Sequence, residues 1–164
     1  MSVSFLRVDD RVIHGLITTK WSKELPCDGI IVVNDKIANN PILKATYVGA
    51  TDYPTYVWTM EEWKEKNHKV LESKKKYFLI TKEPILMSEI LIDNHFNSGL
   101  DQVVIGPVNE RPGTTKIGKN QYLTREEAEA IEKMHQGGYK IWFALIREDS
   151  EGYWDKYRSL FGFR

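Results

Sequence analysis

"VSFLRVDDRVIHGLITTKWSKEL", residues 3–25, changes its period partway along. Residues 3–8 alternate as a strand does, and from Ile13 onward the apolar side chains of Ile13, Leu16, Ile17, Trp21 and Leu25 return at helical intervals. A strand that enters a helix through a short polar turn opens a βα unit, and the chain repeats that alternation to its end. "GIIVVN" (29–34) reads as a continuously apolar strand, followed by a helix near 40–49 and the strand "TYVW" (55–58). "MEEWKEKNHKVLE" (60–72) reads as a helix with Trp63, Val70 and Leu71 toward the core, and "YFLIT" (77–81) as the next strand. Pro84 opens a helix reaching Phe96, since proline suits a first helical turn, and the strand "QVVIG" (102–106) follows. The helix "TREEAEAIEKMHQ" (124–136) stops at Gly137 and Gly138, ahead of the strand "YKIWFALI" (139–146).

Buried strands separated by helices predict the α/β class: one three-layer αβα domain whose mostly parallel central sheet is covered on both faces. Ligands in such sheets sit beyond the carboxyl ends of the strands, which singles out residues 9–15, 34–38, 81–84 and 106–119. The stretch "GPVNERPGTTKIGKNQ" (106–121) carries no predicted element and is either a site loop or a solvated connector. At the far end, "EGYWDKYRSLFGFR" (151–164) spaces Tyr153, Trp154, Tyr157, Leu160 and Phe161 almost helically. Residues 150–164 are therefore expected as a helical tail that packs on the domain or, separately, meets a partner.

A length of 164 residues suits one domain, here taken as 1–164. Lys plus Arg equal Asp plus Glu at 23 each, so no overall field points to nucleic acid or an anionic membrane, and anion binding must be local. Lys74–Lys76 read as a solvated turn. The longest apolar runs fall short of the roughly 20 residues that span a bilayer, and the start lacks the basic and apolar regions of a signal peptide. The expected location is the cytoplasm. Cys27 is the only cysteine, which excludes an internal disulfide and reads as a buried bystander. "GKN" at 118–120 lacks the spacing of a phosphate-binding P-loop, and neither H-E-x-x-H nor G-x-S-x-G occurs. His68, His95 and His135 are dispersed over helices, so no metal and no cofactor site is expected.

The polar turn inside the opening stretch supports two readings. Asp9 or Asp10 can cap the helix by accepting a backbone N–H bond, worth roughly 1 kcal/mol, with His14 an ordinary residue at the margin of the apolar stripe. Alternatively, a histidine with an unperturbed pKa of about 6.5 is largely a free nucleophile near neutral pH. A phosphoryl group on it needs donors, which Arg11 and the first amides of a helix can supply. A carboxylate touching that phosphate would repel it. The aspartates are therefore assigned to Arg11, to the second imidazole nitrogen or to the loop backbone. The segment alone leaves both readings open.

The whole pattern resembles the IIB subunit of the mannose/fructose/sorbose family of the bacterial phosphoenolpyruvate-dependent sugar phosphotransferase system (PTS). "RVDDRVIHGLITTKWSK" is similar to that family's opening R-I-D-D-R-L-I-H-G-Q-V, and "IIVVND" and "RPG" follow in matching order over roughly residues 3–147. The resemblance implies an αβα domain in which His14, through Nδ1, accepts phosphate from a phosphohistidine of a IIA protein or domain. It then passes the phosphate to a sugar at the membrane IIC/IID subunits, with the domain peripherally associated there. The family motif carries over Asp9 and Arg11, and with them Asp10, as supports for the phosphohistidine; Gly15 and Arg111 are candidate phosphate contacts. Leu16 replaces the family's common glutamine, and Gly106-Pro107 its usual Gly-Gly. The other function class is a regulatory phosphoacceptor or binding module of the same fold, detached from transport. The sugar stays open, as does a homodimer.

Overall fold

The structure is a computed structural model that describes residues 2–164. Strand β1 (Val3–Val8) ends in the polar turn, and a π-helical turn (Ile17–Trp21) runs on into α1 (Ser22–Glu24). Next come β2 (Gly29–Val33), α2 (Asp35–Ala38), α3 (Pro41–Val48), β3 (Thr55–Trp58), α4 (Met60–Glu72), β4 (Tyr77–Thr81) and α5 (Pro84–Ser88), which continues as a second π turn (Glu89–Asp93). The chain finishes with β5 (Gln102–Ile105), the short β6 (Thr115–Lys116) and β7 (Tyr122–Leu123), α6 (Arg125–Gln136), β8 (Lys140–Ala144), β9 (Ser150–Tyr153) and two 3-10 turns. The seven-stranded sheet has the order β3-β2-β4-β1-β5-β8-β9. Every neighbouring pair is parallel except β8 with β9.

Both sheet faces are buried, which makes the expected three layers. One face packs Phe5, Ile30, Val32 and Phe78 against Ile13 of the polar turn and Ile17 and Trp21 of the first helical segment. The other packs Leu6, Ile31, Leu79, Ile105 and Phe143 against Trp63 of α4, Met87 of α5 and Ile131 of α6. Four of the helices begin where the sequence supplies side-chain acceptors: Asn34 caps α2, Asn40 caps α3, and Thr59 and Thr124 form capping boxes with Glu62 and Glu127.

Several expectations change. Leu71 does not face the core but stands 44% exposed, since Val70 takes the inward position of that turn. The first helical segment starts at Gly15 rather than Ile13, because Val12 adopts a left-handed backbone with φ of 62°. Residues 106–121 are tied down by the β6–β7 pair and by a bridge between Val108 and Gln121. Residues 150–164 are not a helix: β9 extends the sheet, and the 3-10 turns Trp154–Lys156 and Arg158–Phe161 lay Trp154, Tyr157 and Phe161 into the core.

Candidate functional site

β1 lies between β4 and β5, so its carboxyl end opens among the carboxyl ends of its neighbours, and the turn Asp9–His14 is built there. The main chain joins it to both sides: Asp9 N–H donates to Thr81 O at 3.0 Å and Asp10 N–H to Pro107 O at 3.0 Å. Lys82 Nζ donates to Asp10 O at 2.7 Å. Inside the turn, Val12 N–H returns to Asp9 O at 3.0 Å. A fully buried β-branched residue at positive φ is uncommon and strained by about 1–3 kcal/mol.

Asp9 is the hub of the turn and is completely buried. Its Oδ2 lies 2.7 Å from His14 Nε2, and its Oδ1 accepts the Arg11 backbone N–H at 3.0 Å. Burial opposes its ionisation, but the bonds from His14, the charge of Arg7 and the Arg11 amide together hold it below the ordinary carboxylate range. Among the described residues His14 Nδ1 has no hydrogen-bond partner, and it is shielded from solvent, although the side chain as a whole is 11% exposed. In the neutral ring, with Nε2 directed at a carboxylate, the tautomer that fits has the proton on Nε2 and the lone pair on Nδ1.

The other expected residues separate into distinct positions. Arg11 is exposed, and among the described residues its guanidinium meets no hydrogen-bond or ion-pair partner. Asp10 accepts the Asn109 N–H at 2.8 Å and thereby holds the loop after β5, while burial pushes its carboxyl upward against the pull of that amide. Gly15 is exposed at the first helical turn, and its carbonyl accepts the hydroxyls of Thr18 and Thr19. Arg111 is committed elsewhere: it ion-pairs with the buried Glu127 at 2.7 Å and donates to the carbonyls of Asn109 and Tyr122. It shares with Asp10, Lys82 and Glu83 a cleft of about 320 Å³. Burial pushes the Cys27 thiol up to about 11, which leaves it protonated and unreactive.

One residue that the sequence reading passed over stands at the centre of this geometry. Arg7, in the middle strand, is fully buried and sends Nε and Nη2 to Asp9 Oδ2 at 3.3 and 3.1 Å. Nη1 donates to Ala144 O at 2.7 Å and Nη2 to Leu145 O at 3.1 Å, beyond the end of β8. The available signal was an arginine in a strand that the βα pattern covers on both faces, a position where an unpaired charge is not tolerated.

Comparison with known proteins gives consistent results. Residues 3–161 match the family model described as PTS system sorbose subfamily IIB component. The sorbose-specific EIIB component of Lacticaseibacillus casei is 28% identical over 158 residues, covering 91% of this chain and 90% of that protein. The mannose-specific EIIAB component of Escherichia coli K12 is 24% identical over 151 residues, which are 91% of this chain and 46% of that longer protein. Among solved structures, the IIBSor domain of the sorbose permease from Klebsiella pneumoniae superposes with a TM-score of 0.81, at 24% identity and 92% coverage of each chain.

Proposed function

The chain belongs to the sorbose subfamily of PTS IIB components, phosphotransferases that carry phosphate in sugar uptake, and from that premise we propose that Nδ1 of His14 is the atom that carries it. A component of this kind works with IIA and IIC/IID partners and a sugar. What supports the assignment to Nδ1 is the 2.7 Å contact of Asp9 with Nε2, which leaves Nδ1 without a partner in the same ring.

In the first transfer the Nδ1 lone pair attacks the phosphorus of phosphohistidine on IIA. The donor's P–N bond breaks as the new one forms, and the proton stays on Nε2, hydrogen-bonded to Asp9, whose negative charge stabilises the cationic ring. In the second, a sugar hydroxyl attacks the phosphorus and gives its proton to water as the P–Nδ1 bond breaks, which leaves His14 neutral with its proton still on Nε2. Arg11, with its guanidinium uncommitted, and the Gly15 amide at the start of the helix would hold the phosphoryl oxygens. Asp10 braces the loop from behind. Since Nδ1 is shielded, the groups that cover it must move aside when the donor docks for in-line attack. In this reading the subunit needs neither metal nor nucleotide, and it meets IIC/IID at the cytoplasmic face of the membrane. Among the described residues no helix is long and apolar enough to cross one.

Labelling tests the assignment. Incubation with labelled phosphoenolpyruvate, the two general phosphotransfer proteins and the cognate IIA should give an acid-labile, base-stable phosphohistidine, absent in His14→Ala. Undiminished label in that variant overturns the site.

A further inference from the structure

Burying a guanidinium is unfavourable by several kcal/mol unless its charge and its N–H groups are met. Four of the five N–H groups of Arg7 are met. Asp9 Oδ2 accepts from Nε and Nη2, the carbonyls of Ala144 and Leu145 accept from Nη1 and Nη2, and the Trp21 ring lies 5.4 Å from Cζ. Trp21 is tied to the same loop, since its Nε1 donates to Leu145 O at 3.0 Å. The neighbouring strand leaves room for the fork: a Cβ on Gly106 would lie 2.2 Å from Nη2 and 2.5 Å from Cζ. A glycine is thus required after β5 by a side chain of β1, independently of any backbone preference of its own.

We propose that Arg7 is a positioning residue for phosphoryl transfer: its fork fixes the Asp9 carboxylate against His14 Nε2, so that the ring presents Nδ1 as its free nitrogen. The inference rests on His14 being the phosphoryl carrier. Asp9 is held from three directions, by Arg7 and His14 on Oδ2 and by the Arg11 N–H on Oδ1. Of these, only Arg7 anchors it to the sheet rather than to the turn itself. Without the fork, the carboxylate is free to rotate with the turn, and Nε2 loses its fixed acceptor. The tautomer of His14 is then no longer set, and the ring no longer has one orientation. Arg11 cannot substitute, because its contact with Asp9 is through the backbone.

Two variants disturb this arrangement by different routes. Arg7→Met keeps length and removes the fork; Gly106→Ala leaves Arg7 intact and drives its guanidinium off the position it holds. The readouts are the His14 tautomer, from ring 15N NMR shifts near neutral pH, and single-turnover phosphorylation by phospho-IIA with the donor varied. The native ring should show one tautomer, with the proton on Nε2. Both variants should show a mixture of tautomers and a maximal rate at least about tenfold lower, with the donor concentration for half-maximal rate little changed. Restoring charge without the fork, in Arg7→Lys, should not restore the single tautomer. If Arg7→Met does not fold, Gly106→Ala decides alone. A folded variant with the native tautomer and a rate within twofold of native overturns the proposal, leaving Arg7 a packing residue. Failure of the native protein to label at His14 would instead overturn the phosphocarrier assignment, and the tautomer comparison would still report whether Arg7 orients the ring.

Discussion

Arg11 stands three residues before His14 with its guanidinium in solvent, whereas Asp9, two residues earlier, is sealed in the domain. That contrast separates a group available to a transient anion from one reserved for the imidazole. Arg11→Ala should therefore slow phosphorylation of His14 by roughly 100-fold, the usual effect of removing one donor to developing negative charge. The melting temperature should stay within about 1 °C of native, because no side-chain hydrogen bond or ion pair among the described residues is lost. Measurement of both quantities on the same preparation checks it, and an unaffected rate would assign the phosphoryl oxygens to backbone donors alone. The spacing of "DDRVIH" made His14 and Arg11 readable as candidates, because a nucleophile and a donor so placed are local, although the segment by itself also reads as a helix cap. Which aspartate meets the ring was not legible, since Asp9 and Asp10 are chemically identical and the turn geometry set by Val12 decides between them. Arg7 was hidden for a different reason: its acceptors at 144 and 145 and the space at Gly106 are brought to it only by sheet order.

At the scale of elements, α6 does more than cover the sheet. Its first turn holds Glu127, which completes the capping box with Thr124 and receives Arg111 from the loop after β5. Its last turns hold Glu132, whose carboxylate accepts from Arg158, Gln136 and Trp154 Nε1, the last at 2.9 Å. The Arg158 bond foremost, against the opposing effect of burial and with help from Gln136 and Trp154, brings Glu132 down to about 2 from an ordinary 4.5. The folded value is the lower one, so this stabilisation is complete above the unfolded value and fades as pH falls from 4.5 toward about 2. Allowing for solvent screening at the helix edge, Glu132→Gln should lower stability by about 1–2 kcal/mol at neutral pH. The deficit should narrow across that acidic window. Urea titrations of both proteins at several pH values measure it, and a deficit constant down to pH 3 would mean that packing rather than charge is lost. The α6 helix was legible at both ends from its threonine cap and paired glycines. Its two acidic anchors were not, because glutamates in a solvated-looking helix pattern carry no mark of the partners that the tail and loop bring to them.

For the molecule as a whole, a parallel sheet needs cover on both faces, and on the α4–α6 face part of that cover is the last segment of the chain. The alternation of strands and helices made the layers legible, but the closing strand was not: "SEGY" is short, polar and interrupted by Gly152 at φ of 94°. The following aromatics, spaced almost as a helix, are instead turned inward by 3-10 geometry, with Trp154 fully buried against Phe143 and Phe161. Such a segment belongs to the core energetically. Trp154→Ala removes a large side chain from a close-packed site and should cost about 3–5 kcal/mol, a large part of the 5–15 kcal/mol that holds a domain of this kind together. The expected fall in melting temperature is roughly 10 °C. His14 draws its partners from the other end of the chain and from the carboxyl ends of the central strands. Phosphorylation per folded molecule, measured well below the transition, should therefore remain near native. An unchanged melting temperature combined with weakened binding to IIC/IID would reverse that assignment, making the aromatic tail a docking element that the domain can fold without.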